Sequence, residues 1–170
     1  MTYFSHLINL EKADNRGRPE SFTASKEQCS SIMEVFDLLD LKSFTIQFQV
    51  KLLINGAYDV HGSLNAVIVQ PSSVSCEPVK TSISEQFTVM LMPSQKRLDE
   101  YEESHPDDDC DVFVDGEYDI GNLALEYLSL TLPENPKLAG ETGDHIEFDE
   151  NEKEAKVSPF SVLSDKLKDK

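Results

Sequence analysis

His105, Asp107, Asp108, Asp109, Cys110 and Asp111 fall within seven residues, and hard carboxylate oxygens at that density are what calcium or magnesium takes. The spacing is not that of an EF-hand. With Asp107 as position one, position six is Val112 where the loop needs glycine, and position twelve is Tyr118 where a bidentate glutamate closes the site. The run therefore reads as a solvated acidic stretch, and a metal-dependent hydrolase built on it is the outside reading. For zinc, His61, Cys76, Cys110 and His145 are the available ligands, and no two of them share ligand spacing. Nucleophilic catalysis needs a Ser or Cys set beside a base, and the chain has neither a nucleophile-elbow motif nor a Gly-rich phosphate loop. Cys76, between Ser75 and Glu77, suits a small apolar position as well as a reactive one. The residues thus point away from an enzyme and imply no metal and no cofactor.

Charge narrows the partners. The 170 residues carry 15 Lys and Arg against 32 Asp and Glu, a net charge of -17. Residues 1–97 hold ten acids and nine bases, residues 98–119 eleven acids and no base, and residues 120–170 eleven acids and six bases. Such a field repels phosphate backbones and anionic lipid, which excludes DNA and membrane surfaces as favoured partners. There is no signal peptide and no run of eighteen apolar residues, so the expected location is cytoplasmic, with reduced thiols. One α+β domain is expected over residues 1–138, with 98–118 as a mobile acidic loop; residues 139–156 read as a flexible acidic linker and 157–170 as a short C-terminal amphipathic segment.

The elements that must position any site follow from periodicity. Ser25 and Gln28 form a capping box for a helix over residues 25–39, whose apolar face is Ile32, Val35, Phe36 and Leu39. Phe44, Ile46, Phe48, Val50, Leu52 and Ile54 alternate with mostly polar residues, the pattern of a half-buried strand. The alternation resumes on Tyr58, Val60, Leu64, Ala66 and Ile68. A two-residue turn would pair opposite faces, so a three-residue bulged loop of Asn55, Gly56 and Ala57 is expected, with 54 opposite 58 and His61 on the polar face. A third strand over residues 81–92 puts Ile83, Phe87, Val89 and Leu91 on one side and ends at Pro93. Asp119 can cap a nearly all-round apolar helix holding Ile120, Leu123, Ala124, Tyr127 and Leu128, stopped by Pro133. Ser158 and Pro159 start a last short helix with Phe160, Leu163 and Leu167 on one face. The sum is an α+β fold: a mainly antiparallel, curved meander, with barrel-like closure as one form it could take, packed with two helices.

Several segments, in order, resemble the YceD family, named for large ribosomal RNA subunit accumulation, in its alphaproteobacterial type. They are residues 22–27 (Phe-Thr-Ala-Ser-Lys-Glu), Gly62-x-Leu64-x-Ala66 leading to Gln70, then Glu77-Pro78-Val79, Glu85-x-Phe87, Asp119-Ile120-Gly121 through Glu126 and Leu128-x-Leu130, and Pro159-Phe160-Ser161-Val162-Leu163. The resemblance spans nearly the whole chain. It implies a cytoplasmic ribosome-biogenesis factor without established enzymatic activity, supporting synthesis, processing or stability of 23S ribosomal RNA. A first reading takes ribosomal proteins or assembly factors as partners, engaged by the acidic loop and by the terminal Phe160, Val162 and Leu163 segment, with an indirect association with 23S RNA. Many relatives carry Cys-x-x-Cys at the strand connection; here Ser72 stands where a cysteine would be, Ser75 where a threonine would be and Cys76 where a leucine would be, which leaves a metal or thiol role there without its ligand. The interaction candidates are Gln70, Ser72, Ser75, Glu77, Pro78, Asp119, Gly121, Glu126, Pro159, Phe160, Val162 and Leu163. A second reading has the first 97 residues touch ribosomal RNA through Lys42, Lys51, Lys80, Lys96 and Arg97 on one face.

Overall fold

A computed structural model describes residues 4–142. The expected C-terminal segment, with Pro159, Phe160, Val162 and Leu163, and most of the expected linker lie outside the described residues. The elements run β1 (Leu7–Asn9), β2 (Arg18–Thr23), α1 (Lys26–Phe36), β3 (Asp40–Leu52), β4 (Tyr58–Pro71), β5 (Pro78–Met92), α2 (Gln95–Ser104), β6 (Cys110–Val112), β7 (Glu117–Asp119) and α3 (Ile120–Thr131), with a 3-10 turn at Leu10–Lys12. Five strands form one sheet in the order β2-β3-β4-β5-β6, antiparallel except for the β5–β6 pair, and β1 pairs β7 separately. This is the expected α+β fold with an antiparallel meander. The sheet is open rather than closed into a barrel, since β2 and β6 are its two edges, and among the described residues it carries three α-helices, α2 being additional to the two expected there.

Alternation sets the layers. Phe44, Ile46, Phe48 and Val50 of β3, Val60, Leu64, Ala66 and Ile68 of β4, and Ile83, Phe87, Val89 and Leu91 of β5 are all buried on one face. That face joins one apolar core with Phe4, Ile8 and Leu10 of the N-terminal segment, Ile32 of α1 and Leu123, Ala124 and Leu128 of α3. On the other face α2 packs Leu98 with Met92 and Ala57 at one corner only.

Several boundaries move. The Ser25 capping box forms, but α1 stops at Phe36, where Asp37 caps it in the left-handed region at φ 51°. Leu39 is thus beyond the helix, and Leu39 and Val35 are about half exposed; the buried side runs through Ile32, with Cys29, Met33 and Phe36 packed partly against the core. The hairpin turn contains Gly56 (φ 78°), as expected, but it is a five-residue loop over residues 53–57 rather than a three-residue bulged one: Leu52, not residue 54, faces Tyr58, and the Leu53 N–H donates to the Ala57 carbonyl at 2.9 Å. Even still faces even, so the core side is preserved, while Ile54 projects into solvent at the turn. In α3 Leu130 is 80% exposed, so the helix has one wet side and is not apolar-buried all round.

Candidate functional site

The β4–β5 connection is where the sequence concentrates candidates, and the structure builds it as a clasp. Pro71 and Pro78 face each other at the end of the ladder, leaving residues 72–77 as the loop. Ser72 is its only inward group: 2% exposed, its Oγ accepts from the Val74 N–H at 3.1 Å and the Ser75 N–H at 3.3 Å. The same hydroxyl donates at 2.5 Å to Oε2 of Glu141, and the Ser75 hydroxyl donates to the other oxygen of that carboxylate. The Leu138 N–H adds a third donor to Glu141 at 2.8 Å. Together these hydroxyls and the amide hold the Glu141 carboxyl below its ordinary range, because each donor favours the ionised form.

Further ties join this connection to the segment after α3. The Ser73 N–H donates to the Pro136 carbonyl at 2.8 Å, and Gln70 Nε2 donates to the Pro133 carbonyl at 3.5 Å. Gln70 Oε1 is buried with no partner among the described residues. Glu77 works through its backbone, taking the Ser72 N–H on its carbonyl at 2.8 Å and donating its own N–H to Ser75 Oγ at 3.3 Å. Cys76 is exposed and sits at φ 63°, the left-handed position that closes the loop.

The sign of the Glu141 shift gives a pH test. A carboxyl with a depressed folded-state pKa adds stability above its unfolded pKa of about 4.3 and loses it as pH falls through the lower folded value. Protection of the Val74 and Ser75 amides, taken relative to their intrinsic exchange rates, is therefore expected to fall at acidic pH below that point, and Glu141→Gln should show the lower protection already at neutral pH. Exchange in the variant indistinguishable from wild type would remove Glu141 from the clasp.

Asp119, Gly121 and Glu126 lie elsewhere. Asp119 caps α3 by accepting from the Asn122 N–H at 3.1 Å and ties down the N-terminal segment by accepting from the His6 N–H at 2.9 Å. Partial burial raises its pKa, but hydrogen bonds from Ser5, His6, Asn122 and Gly121 outweigh that and leave it lowered. Gly121 leaves room for this contact, because a Cβ there would stand 2.6 Å from the His6 nitrogen and 3.0 Å from the Phe4 ring. Glu126 is exposed and accepts from Asn122 Nδ2 at 2.8 Å. Asp119 and Gly121 thus have packing roles that account for them.

The acidic stretch is a correction. Residues 98–118 are not a mobile loop: they contain most of α2, all of β6 and the start of β7. Three phenols lace it down, Tyr101 to Asp108 at 2.8 Å, Tyr118 to Asp111 at 3.1 Å and Tyr127 to Asp109. Burial and the adjoining Asp108 push the Tyr101 hydroxyl up to about 12, and burial with Asp111 and with Asp109 raises Tyr118 and Tyr127 likewise. All three phenols therefore stay protonated donors at neutral pH. Burial also raises the Cys29 and Cys110 thiols, helped by Asp40 and Glu102 respectively, which disfavours the thiolates that nucleophilic chemistry needs. Among the described residues no three His, Cys, Asp or Glu side chains gather as metal ligands would.

The five bases of the RNA reading do not form one cluster: Lys51 and Lys80 share the polar face of the sheet but stand far apart along it. Lys51 pairs opposite Asp59 near the hairpin turn and Lys80 opposite Val69 at the other end of the sheet. Lys42 contacts Asp40, Lys96 contacts Glu100 at 3.8 Å, and Arg97 donates to the Asn55 carbonyl at 2.6 Å.

Sequence reasoning missed Glu141 and the tyrosine donors. The partners of Glu141 are 69 and 66 residues away, and a polar residue in a polar stretch carries no local signal of such a bond. Among the described residues no helix is long and apolar enough to cross a membrane.

No curated protein and no solved structure gives a significant match. A family profile described as large ribosomal RNA subunit accumulation protein YceD does match, over residues 60–168, from within β4 through the clasp, the laced acidic stretch and α3. With more than half its length under that profile, the chain belongs to the YceD family.

Proposed function

We propose that this protein is a non-enzymatic, cytoplasmic ribosome-biogenesis factor that supports synthesis, processing or stability of 23S ribosomal RNA through contacts with ribosomal proteins or assembly factors. The observation that carries this reading is the ordered acidic surface. Asp108, Asp109 and Asp111 are fixed by tyrosines on α2, β7 and α3, so their charge is presented in one geometry rather than spread over a mobile loop. Fixed charge of one sign steers and orients a cationic partner, and proteins that bind ribosomal RNA are rich in Lys and Arg. The single domain over residues 1–138 and a partner-docking role for Phe160, Val162 and Leu163 belong to the same proposal.

The test is an affinity pull-down of the intact protein from cells assembling ribosomes, with and without nuclease. Ribosomal proteins or assembly factors are expected to remain after nuclease and to fall away steeply between low and high salt, because exposed charge pairs are screened over about 10 Å at 0.1 M. Loss of every partner on nuclease treatment would overturn the protein-contact reading in favour of RNA.

A further inference from the structure

β5 is fifteen residues long, Pro78–Met92, yet on its outer side only Met90, Leu91 and Met92 are paired, with β6. Among the described residues, nothing hydrogen-bonds the rest of that side. The Met90 N–H points outward to the Asp109 carbonyl at 2.9 Å. By the alternation of a strand the N–H and C=O groups of Ser82, Ser84, Gln86 and Thr88 point the same way. These four residues are exposed, and the β4–β5 register runs through them without a bulge. Such an edge is a template for another strand unless it is blocked by proline, charge or distortion. The opposite edge, β2, is blocked in that manner by Pro19 between Arg18 and Glu20. Between Val79 and Val89 the open edge of β5 has no proline and no lysine except Lys80.

Where the free edge meets the start of β6, a recess of about 330 Å³ is lined by Gln86, Thr88, Asp107, Asp108, Asp109 and Tyr127. On the core side an adjoining recess brings Val89 together with Asp109, Asp111, Glu126 and the exposed Leu130. Neither recess is lined by Lys or Arg.

We propose that the free edge of β5 is a strand-addition site for an extended, cationic segment of a partner protein. Main-chain pairing to residues 82–88 would supply affinity, an apolar side chain would cover Leu130, and Lys or Arg would meet Asp107, Asp109, Asp111 and Glu126. The charge decides between occupants. A second copy of this chain would bring another net charge of -17, including its own Asp107 to Asp109, against the same recess, whereas a basic segment is attracted to it.

The probe is a decapeptide of alternating valine and lysine, with alternating valine and glutamate as the control, added to the full chain and followed by amide hydrogen exchange. Protection is expected to rise over residues 80–88 with the lysine peptide and not with the glutamate peptide. Ser84→Pro removes an outward N–H that has no partner within the sheet, so its melting temperature should stay near wild type while peptide affinity falls roughly tenfold or more; Ser84→Ala should bind as wild type. Unchanged binding by Ser84→Pro, or protection over residues 18–23 in place of 80–88, would overturn the proposal. So would a dimer of the free protein that Ser84→Pro abolishes, since the occupant would then be a second copy. If Ser84→Pro itself unfolds the chain, the footprint on the wild type still decides. Because the probe is synthetic, these outcomes are independent of the ribosomal reading, on which only the identity of the natural partner rests.

Discussion

Phe44→Ala is expected to lower the free energy of unfolding by about 3–5 kcal/mol, the range for truncating a buried aromatic residue. Phe44 is completely buried, and its ring meets that of Phe4 edge-on at 5.2 Å and 79°. Its neighbour across the ladder is Ala66, too small to collapse into the space left behind, so the upper part of that range is expected. Urea unfolding should show a lower midpoint at an unchanged slope. The variant should also loosen the N-terminal segment, because Phe4 loses the ring it packs on; exchange at residues 6–10 should rise more than exchange in α2. A loss below about 1 kcal/mol would mean that the core is not centred on this strand.

Ser72→Ala carries the second effect, about 1 kcal/mol, the net worth of a typical hydrogen bond between groups that water can still reach. One hydroxyl serves two amides and one carboxylate here, so its removal takes the shared acceptor from two loop amides while Glu141 keeps the Ser75 hydroxyl and the Leu138 N–H. A double-mutant cycle with Glu141→Gln separates the parts: the Glu141 bond should give a coupling energy clearly above zero, while the two loop amides remain as the uncoupled cost. Strict additivity would mean that Ser72 stabilises only its own loop. Ser72→Cys is the informative third variant, since it introduces the residue type that the family resemblance implies for this position; sulfur is a weak acceptor and should recover only part of the loss.

What was legible in the sequence was what repeats locally. β3, β4 and β5 announce themselves because every second residue from Phe44 to Val50, and from Val60 to Ile68 apart from the half-buried Gly62, is buried. β2 gives no such signal: it is an edge strand whose six residues are exposed except for the half-buried Phe22. β1, β6 and β7 have three residues each, shorter than any period can show. The acidic stretch was misread for a different reason. Composition counts the repulsion among Asp107, Asp108, Asp109 and Asp111, but not the phenols of Tyr118 and Tyr127, which reach it from 7 and 18 residues away. Ser72 and Ser75 were found through resemblance, while their shared carboxylate could be found only in three dimensions.

The bond from the His6 N–H to Asp119 spans 113 residues, and among the described residues β1 pairs only with β7. The β3–β4 and β4–β5 hairpins, by contrast, close over short turns. Closing a long chain costs entropy that local contacts do not have to overcome. During synthesis, then, the meander can form while Leu7 to Asn9 wait without a partner until residues 117–119 have emerged from the ribosome. The first strand translated is thus among the last to be locked, held until the segment leading into α3 has arrived.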